Sequence, residues 1–505
     1  MAKEQFLTAD ELKEEAGLKA LFDKRDGDRI TSLDKARDCS ALTIPSVLPE
    51  SSHTEQSTLP DTFNSLGARA VNNLSNKLLL GLLPPNSAFF RLRVAGDDKD
   101  LDLAAPEDAE LQTKLSNLET KLMGIIETSG MRPIVHQAFV HLIITGNALL
   151  LYDEGNMHMY KLDSYVVIRD FSGNVTDVIM KEKIAYSALP EELRGKIEIT
   201  DDEKKKDIEL YTRYKLQGKQ YITYQEVKNE IVEGSEQMIP LAKLPLMVLR
   251  WSKINGENYG RGLVEQHIGD FRSLEGLTQM MIEYSAIAAK VIFGIKPGSP
   301  IEVDELEEAE NGGVIIGDLE RDISRLAVDK QADLGVPMQM IDEITRRLGA
   351  AFLLQSTTTR DSERTTALEI QYLARELEDA LGGIYSIISQ EFQLPLVRLL
   401  MVEMKGSLGD LVEPTITTGL SALGRTQDLE KLRQLNSLIA EVSPDYLTKY
   451  LNVEEYLKRI GAALSIKDVQ TLFTTQDAVA QEQQGQTDAG VPNVAQPQQP
   501  QQPQG

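Results

Sequence analysis

The polar loop at residues 356–365 reads Ser356-Thr357-Thr358-Thr359-Arg360-Asp361-Ser362-Glu363-Arg364-Thr365, and its surroundings decide the fold. Two helical segments, 261–292 and 337–354, precede it and flank a short β-like stretch. A longer helix follows, opening at Thr366 and Glu369 with the spacing of a capping box. Repeated around an axis, the paired helices would form a barrel, the β-like stretch would form a rim, and the loop would project into the lumen. This order indicates a wall built from many copies, which conducts something and need not catalyse anything.

The segment from residue 261 is predicted to be one long amphipathic helix. Apolar residues recur at steps of three and four, which places them on one helical stripe: Val264, Ile268, Phe271, Leu274, Leu277, Met281, Tyr284, Ala288 and Val291. At 1.5 Å per residue, about thirty residues span roughly 45 Å. Two interpretations stay open, a buried core helix and a strut packed beside copies of itself.

The charge of the chain limits the classes of protein it can belong to. The 505 residues suffice for roughly three domains, and the apolar and charged fractions of 41% and 26% are ordinary for a soluble protein. The net charge of −25 argues against a dedicated wrapper of nucleic acid, which would show a basic face. A negative wall repels phosphate, which is tolerable in a conduit through which DNA must slide without sticking.

The sequence predicts a cytosolic protein, or one assembled in the cytosol. Cys39 is the only cysteine, so one chain can form neither a disulfide framework nor a cysteine-based zinc site. The first twenty residues carry no secretory signal. Residues 134–152 lack charged side chains, but they contain too many polar groups for a membrane span. A buried helix to Thr145, a turn at Gly146-Asn147 and a strand at 148–152 are the favoured interpretation.

The rest of the chain indicates an α+β protein that is mainly helical. Residues 8–40, 66–83 and 106–129 have helical periodicity, and 148–251 reads as an inserted antiparallel β subdomain with hairpin turns at 172–174 and 217–219. After the polar loop, a helix from 367 toward 404 should weaken at Gly382-Gly383 and kink near Pro395. Shorter helices are predicted between 420 and 464. Residues 481–505 hold ten Gln and four Pro and are predicted to be disordered.

A search for catalytic motifs predicts no enzyme, no cofactor and no metal site. The chain has no Gly-Lys-Ser/Thr phosphate loop, no Gly-x-Ser-x-Gly elbow and no His-Glu-x-x-His motif. His136 and His141 lie five residues apart, the wrong step for two ligands on one helical face. Gly260-Arg261-Gly262 is too short for a phosphate-binding loop and more plausibly frees the backbone before the helix. A monomeric α+β hydrolase would need a pocket of convergent titratable groups, and no motif indicates one.

An acidic stretch follows the long helix. Six carboxylates crowd into nine residues: Glu302, Asp304, Glu305, Glu307, Glu308 and Glu310. Such a run is either a solvated face or a docking surface for a basic partner, and the sequence leaves both open.

Many short segments, in this order, resemble the portal proteins, or head-to-tail connectors, of short-tailed bacteriophages. The similarity runs over nearly the whole chain. The segments that carry it are 43–46 (TIPS), 67–69 (GAR) with 72–74 (NNL), 145–150 (TGNALL), 164–167 (SYVV), 188–191 (ALPE), 259–262 (YGRG), 269–275 (GDFRSLE), 330–333 (KQAD), 363–367 (ERTTA), 376–379 (ELED) with 381–386 (LGGIYS), and 394–398 (LPLVR).

The resemblance implies a dodecameric ring with a central channel and a wing, stem, clip and crown. It assigns the wing to 1–260, the stem helices to 261–292 and 337–354, the clip to 293–336, the tunnel loop to 355–365, a long kinked helix back to the wing to 366–410, the crown to 411–475 and a disordered tail to 476–505.

The same resemblance implies a function and partners. Such a ring sits at one capsid vertex of the virion, after assembly in the host cytoplasm, and no membrane is involved. Double-stranded DNA is packaged through the channel by the terminase motor, which carries the ATPase, and is later ejected through it. The terminase large subunit, the tail adaptor and nozzle proteins would dock at the clip. The major capsid protein and the scaffold, with which the ring nucleates procapsid assembly, would meet the wing, and internal core proteins the crown.

The tunnel loop is the predicted DNA-facing site. Its residues in this role are Thr358, Thr359, Arg360, Ser362 and Arg364. The family commonly has Gly where this chain has Ser362. The two arginines either meet phosphates in the lumen, or Arg364 pairs with Glu363 or Asp361 and only shapes the loop. A tail adaptor, another kind of ring protein, is usually much shorter than this chain.

Overall fold

A computed structural model describes most of the first 403 residues and a few segments beyond them. The described residues are 17–54, 56–85, 88–94, 106–153, 155–189, 194, 207–288, 292–298, 301, 303–304, 318, 321, 323–326, 334–354, 376–377, 379–403, 412–416 and 437. Contacts divide the chain into two units, Met1–Gly419 and Leu420–Gly505. In the second unit only Ser437 is described, as an exposed helical residue. The predicted helices at 420–464 and the tail otherwise lie outside the described residues.

The helices and strands of the described residues are numbered in chain order. The helices are α1 (Leu18–Asp28), α2 (Ile30–Ala41), α3 (Leu66–Leu82), α4 (Pro106–Thr128), α5 (Met131–Thr145), α6 (Leu263–Gln266), α7 (Ile268–Ala288), α8 (Gly335–Ala351), α9 (Gly383–Ile388) and α10 (Leu394–Glu403). The strands are β1 (Phe90–Val94), β2 (Asn147–Asp153), β3 (Asn156–Tyr160), β4 (Tyr165–Arg169), β5 (Val175–Ile184), β6 (Ile208–Gln217), β7 (Gln220–Val227), β8 (Glu230–Ile231), β9 (Gln237–Pro240), β10 (Leu246–Arg250), β11 (Ile292–Ile295), β12 (Ile323–Leu326) and β13 (Val412–Ile416).

The largest core surrounds α5, which is buried along most of its length. Helix α3 packs against it, and α3, α8 and α10 contribute Leu74, Leu348 and Leu396 to the same core, each fully buried. At Gly146 the backbone takes a left-handed conformation with φ of 78°, and β2 begins at the next residue. The uncharged segment 134–152 is therefore a buried helix, a turn and a strand, as predicted. None of the described helices is long and apolar enough to cross a bilayer.

Two antiparallel sheets form the middle of the chain. Three strands lie in the order β10-β2-β3, and six lie in the order β4-β5-β6-β7-β8, with β9 paired to β7. The hairpins β4–β5 and β6–β7 turn at Gly173 and Gly218, where the sequence predicts turns. Helix α1 covers one face of the six-stranded sheet through Phe22, and α2 contributes Leu33 to a core that includes residues of both sheets.

The predicted helix over 261–292 is wrong at two points. At His267 the backbone leaves helical geometry with φ of −112° and ψ of 16°, which separates α6 from α7. The His267 ring there lies 6.0 Å from that of Phe352. Residues 292–295 form strand β11, which pairs antiparallel with β12. Apolar spacing does not reveal a one-residue break, and β11 becomes evident only with its partner.

The helix after the polar loop is interrupted where the sequence predicts weakness. Gly382 has φ of 48°, which favours glycine, and α9 starts at the next residue. A π-helical turn, Ser389–Gln393, then precedes α10, whose second residue is Pro395. Proline lacks an N–H and clashes with the carbonyl four residues earlier, so a wider turn suits this position. Strand β13, which no local sequence pattern predicts, pairs with β1 more than three hundred residues earlier.

Candidate functional site: two strut helices and their anchors

Helices α7 and α8, here the first and second struts, pack against each other near their junction with the core. The Phe271 ring of the first strut lies edge-on to Phe352, the residue that caps the second, with centroids 5.6 Å apart. Arg347 donates to Asp270 across the pair at 2.7 Å. Leu274 and Leu348 are fully buried beside them. The struts therefore form one antiparallel unit rooted in the main core.

Away from this root, both struts expose large apolar side chains. On the first strut Met280, Ile282 and Ile287 are 57%, 50% and 56% exposed. On the second strut the exposed set is Val336, Met338 and Met340. A helix in a complete monomer core would cover such residues, so the strut interpretation fits and the buried-core interpretation holds only for the root.

The exposed apolar residues flank the packed stripe on both sides. At about 100° per residue, Met280 and Ile287 project roughly 90° to one side of the stripe that contains Leu277 and Met281. Ile282 projects to the other side, roughly 110° away. The second strut repeats the arrangement, with Val336 and Met338 on opposite flanks of the side that buries Ile344. Each strut thus exposes apolar side chains on both flanks of its packed side.

The root of the first strut is locked by backbone-to-backbone contact among glycines. A Cβ at Gly262 would lie 2.6 Å from the Ile144 carbonyl oxygen and 2.8 Å from that of Ile143. A Cβ at Gly146 would lie 2.5 Å from the Gly262 nitrogen. The sequence predicts that the glycines at 260 and 262 free the backbone before the helix. The structure gives a different reason for the glycines at 146 and 262, since no side chain fits between the two turns.

Asn147 joins the same two turns through its side chain. Its Oδ1 accepts from the Gly260 N–H at 2.8 Å, and its Nδ2 donates to the Gly260 carbonyl at 2.9 Å. The Trp251 N–H donates to the Gly146 carbonyl at 2.9 Å. Asn147 is 4% exposed, so these bonds are shielded from water and costly to lose.

The first strut is also tied to the N-terminal segments. Arg272 pairs with Asp38 of α2 at 2.6 Å. The Glu275 carboxylate accepts from the Phe63 N–H and from Asn64 Nδ2, each at 2.6 Å. The segment 269–275, one of those that carry the family resemblance, therefore holds the strut at its base through Asp270, Phe271 and these two residues.

Most of the sequence-predicted site residues lie outside the described residues of the chain. These are Thr358, Thr359, Arg360, Ser362 and Arg364 of the tunnel loop, and Glu302, Glu305, Glu307, Glu308 and Glu310 of the acidic stretch. Asp304 is described and is exposed at a short helical turn. The functional residues that the sequence reasoning missed are the exposed apolar side chains on the flanks of the struts. They belong to no catalytic or binding motif. Their signal in the sequence is a second set of apolar positions off the main stripe.

The two histidines considered as metal ligands belong to the core. Burial lowers the pKa of His141 to about 4 and lowers that of His136 as well. His136 Nε2 and the Ser75 hydroxyl are hydrogen-bonded at 2.9 Å. Within the described ranges no cluster of three His, Cys, Asp or Glu side chains could hold a metal. An open groove of about 440 Å³ runs along the second strut beside Val336, Met340 and Arg346.

Comparison with known proteins assigns the chain to a family. The chain belongs to the family of bacteriophage head-to-tail connecting proteins, whose model matches residues 15–469. It is 37% identical to the portal protein of Enterobacteria phage T3, over 95% of this chain and 92% of that protein. It is 36% identical to the portal protein of Escherichia phage T7 over the same shares of the two chains, and 32% identical to that of Enterobacteria phage SP6, over 93% of each. The resemblance to portal proteins of short-tailed phages is confirmed.

Among solved structures, a chain from the neck of an empty gene transfer agent particle aligns with a TM-score of 0.37 at 11% identity. The alignment covers 73% of this chain and 86% of that chain. A chain from the virion of a native gene transfer agent particle gives the same TM-score at 10% identity, over 79% and 90% of the two chains. Scores this low carry no argument, so the family assignment rests on sequence.

Proposed function

We propose that this protein is the portal of a short-tailed phage, a ring of twelve copies that forms the channel at one capsid vertex. The observation that carries the proposal is the pair of apolar flanks on each strut. A subunit in a closed ring has a neighbour on each side, and every exposed flank would then be covered. The ring is a conduit and not an enzyme.

Double-stranded DNA is the cargo of this channel, driven inward by a terminase motor and released at infection. The net charge of −25 per chain supports passage without adhesion, because a negative wall repels the phosphate backbone. In such a channel, a few positively charged side chains suffice to contact the DNA phosphates at one level of the wall. Arg360 and Arg364 of the tunnel loop would supply them, beside Thr358, Thr359 and Ser362.

Replacing both loop arginines by alanine should impair DNA retention or packaging and leave ring formation intact. Loss of two phosphate contacts weakens a transient, salt-dependent attraction, whereas the struts are untouched. The measurement is the DNA content of particles assembled with R360A/R364A portals. Arg346→Ala, at an exposed arginine on the second strut, provides a matched control. Wild-type packaging and retention in the double variant would show that the arginines only shape the loop.

The acidic stretch of the clip is proposed either to contact a neighbouring subunit or to dock partner proteins. The partners would be the terminase large subunit first, then the tail adaptor and the nozzle proteins. Asp304 is exposed, as a docking carboxylate must be. Neutralising Glu302, Asp304, Glu305, Glu307, Glu308 and Glu310 to their amides should weaken adaptor or terminase binding, most clearly at low salt. Binding titrations at two salt concentrations test this, and unchanged affinity at low salt would reject the docking role.

The remaining partners follow from a place at the capsid vertex. The β-rich wing would meet the major capsid protein and scaffold, so that the ring nucleates procapsid assembly in the host cytoplasm. Internal core proteins would meet the crown.

A further inference from the structure

We propose that Lys77 and Asn73 of α3 are positioning residues that hold the chain on both sides of the tunnel loop in register; the two ends meant here are residues 352–354 and 376–377. They contact the chain just before the loop, at Phe352 and Leu353, and Lys77 also pairs with Glu376, eleven residues after the loop's last residue. The inference deepens the proposed function of the loop and rests on it.

The chain enters the loop through a conformation that needs support. Helix α8 ends at Ala351, and Leu353 then has φ of 55°, a left-handed value that costs energy for a branched side chain. Asn73 Nδ2 donates to the carbonyls of Phe352 and Leu353 at 3.2 and 3.1 Å. Lys77 Nζ donates to the Leu353 carbonyl at 2.9 Å. The terminal carbonyls of the second strut are thus capped by a neighbouring helix, and a cation suits this negative end.

The chain that returns from the loop meets the same helix. Glu376 Oε2 lies 3.6 Å from Lys77 Nζ. Leu377 is fully buried against Gly81, where a Cβ would lie 2.8 Å from the leucine Cδ1. Further along the returning chain, the Tyr385 hydroxyl donates to the Gly81 carbonyl at 3.1 Å. Helix α3 is therefore the surface to which the returning segment docks.

Lys77 is the group that joins the two ends. It is 8% exposed, and its ammonium contacts positions 353 and 376. Burial lowers the pKa of Lys77, and the Glu376 carboxylate offsets some of that effect. Asn73 and Lys77 are four residues apart, so they share a face of α3. Asn73 and Glu376 each belong to a segment that carries the family resemblance, 72–74 and 376–379 respectively.

A second role for these contacts is purely structural: they would only supply hydrogen-bond partners to a buried ammonium group. In that role, loss of Lys77 would destabilise the surrounding core as a whole. A positioning lysine acts on the two loop ends and, through them, on the DNA held in the channel. Its effect should be smaller when Glu376 has already lost its charge, because one of its two contacts, the pair with Glu376, is then already broken.

The test uses full-length K77M rings, with K35M as a matched control. Lys35 also pairs with a glutamate, Glu265 at 3.9 Å, but its side chain is 53% exposed. Amide hydrogen exchange is followed at the loop ends and in α5, and DNA retention is measured in particles. K77M should raise exchange at residues 352–354 and 376–377 by about tenfold, as expected for one lost charge-assisted bond. K35M should change neither exchange nor retention.

Further variants keep the proposal falsifiable. If K77M fails to fold, N73A tests the entry end and E376Q the exit end, each expected to raise exchange at its own end. K77M/E376Q should retain DNA no worse than K77M alone. Unchanged exchange at both ends, an equal rise throughout α5, or additive losses of retention would overturn the proposal. Normal DNA retention in R360A/R364A would instead refute the loop's contact with DNA. The hydrogen-exchange result would still show whether Lys77 and Asn73 hold the two ends of the chain.

Discussion

Replacing Ile282 and Ile287 together by aspartate should abolish ring assembly and leave a folded monomer. The two side chains are about half exposed in the single chain, so a charge there costs the monomer little. In a ring they lie on opposite flanks of the strut, and each would face a neighbouring copy. Burying an unpaired carboxylate costs roughly 3 kcal/mol or more, and the cost recurs at every subunit boundary. Light scattering coupled to gel filtration measures the assembly, and circular dichroism the fold.

Matched controls separate this effect from a general response to surface aspartates. Ile30 and Leu241 are also large, apolar and exposed, at 58% and 55%, but lie away from the struts. I30D/L241D should assemble like the wild type. Rings formed by I282D/I287D in wild-type yield would show that the strut flanks are not subunit contacts.

Replacing Gly262 by alanine should destabilise the monomer itself by about 3 kcal/mol or more, a large effect for one methyl group. The added Cβ would meet two main-chain carbonyl oxygens, of Ile144 and Ile143, at 2.6 and 2.8 Å. Neither can move without shifting the end of the buried helix α5. Denaturant unfolding of the purified variant measures the loss, with reduced soluble yield as an earlier sign.

Gly269 supplies the control on the same strut. It is exposed, and a Cβ there would meet nothing within 4 Å. Alanine at 269 should therefore stabilise the helix by about 0.5–1 kcal/mol, because glycine is a poor helix former. Equal stability of G262A and G269A would contradict the account of the strut root.

The features that could be predicted from sequence are those set by local periodicity and turn chemistry. The buried helix ending at Thr145, the turn at Gly146 and the following strand follow from composition and length alone. The hairpins at Gly173 and Gly218 and the break at Gly382 follow from glycine at the right offsets. The apolar stripe of the first strut correctly predicts the residues that pack at its root.

What could not be predicted depends on partners distant in the chain. Strand β13 pairs with β1 across more than three hundred residues, and no local pattern indicates that contact. The helix break at His267 accompanies a ring contact with Phe352. Lys77 reads as an ordinary surface residue of an amphipathic helix until Leu353 and Glu376 are brought to it. The apolar flanks of the struts are visible in the sequence, but only their exposure in the folded chain gives them meaning.

Cryo-electron microscopy of the purified full-length protein tests the central claim most directly. The account predicts a closed ring with a central channel, in which Met280 and Ile287 of one first strut face the neighbour on one side and Ile282 the neighbour on the other. A compact monomer, or a ring that leaves these flanks open to solvent, would contradict it.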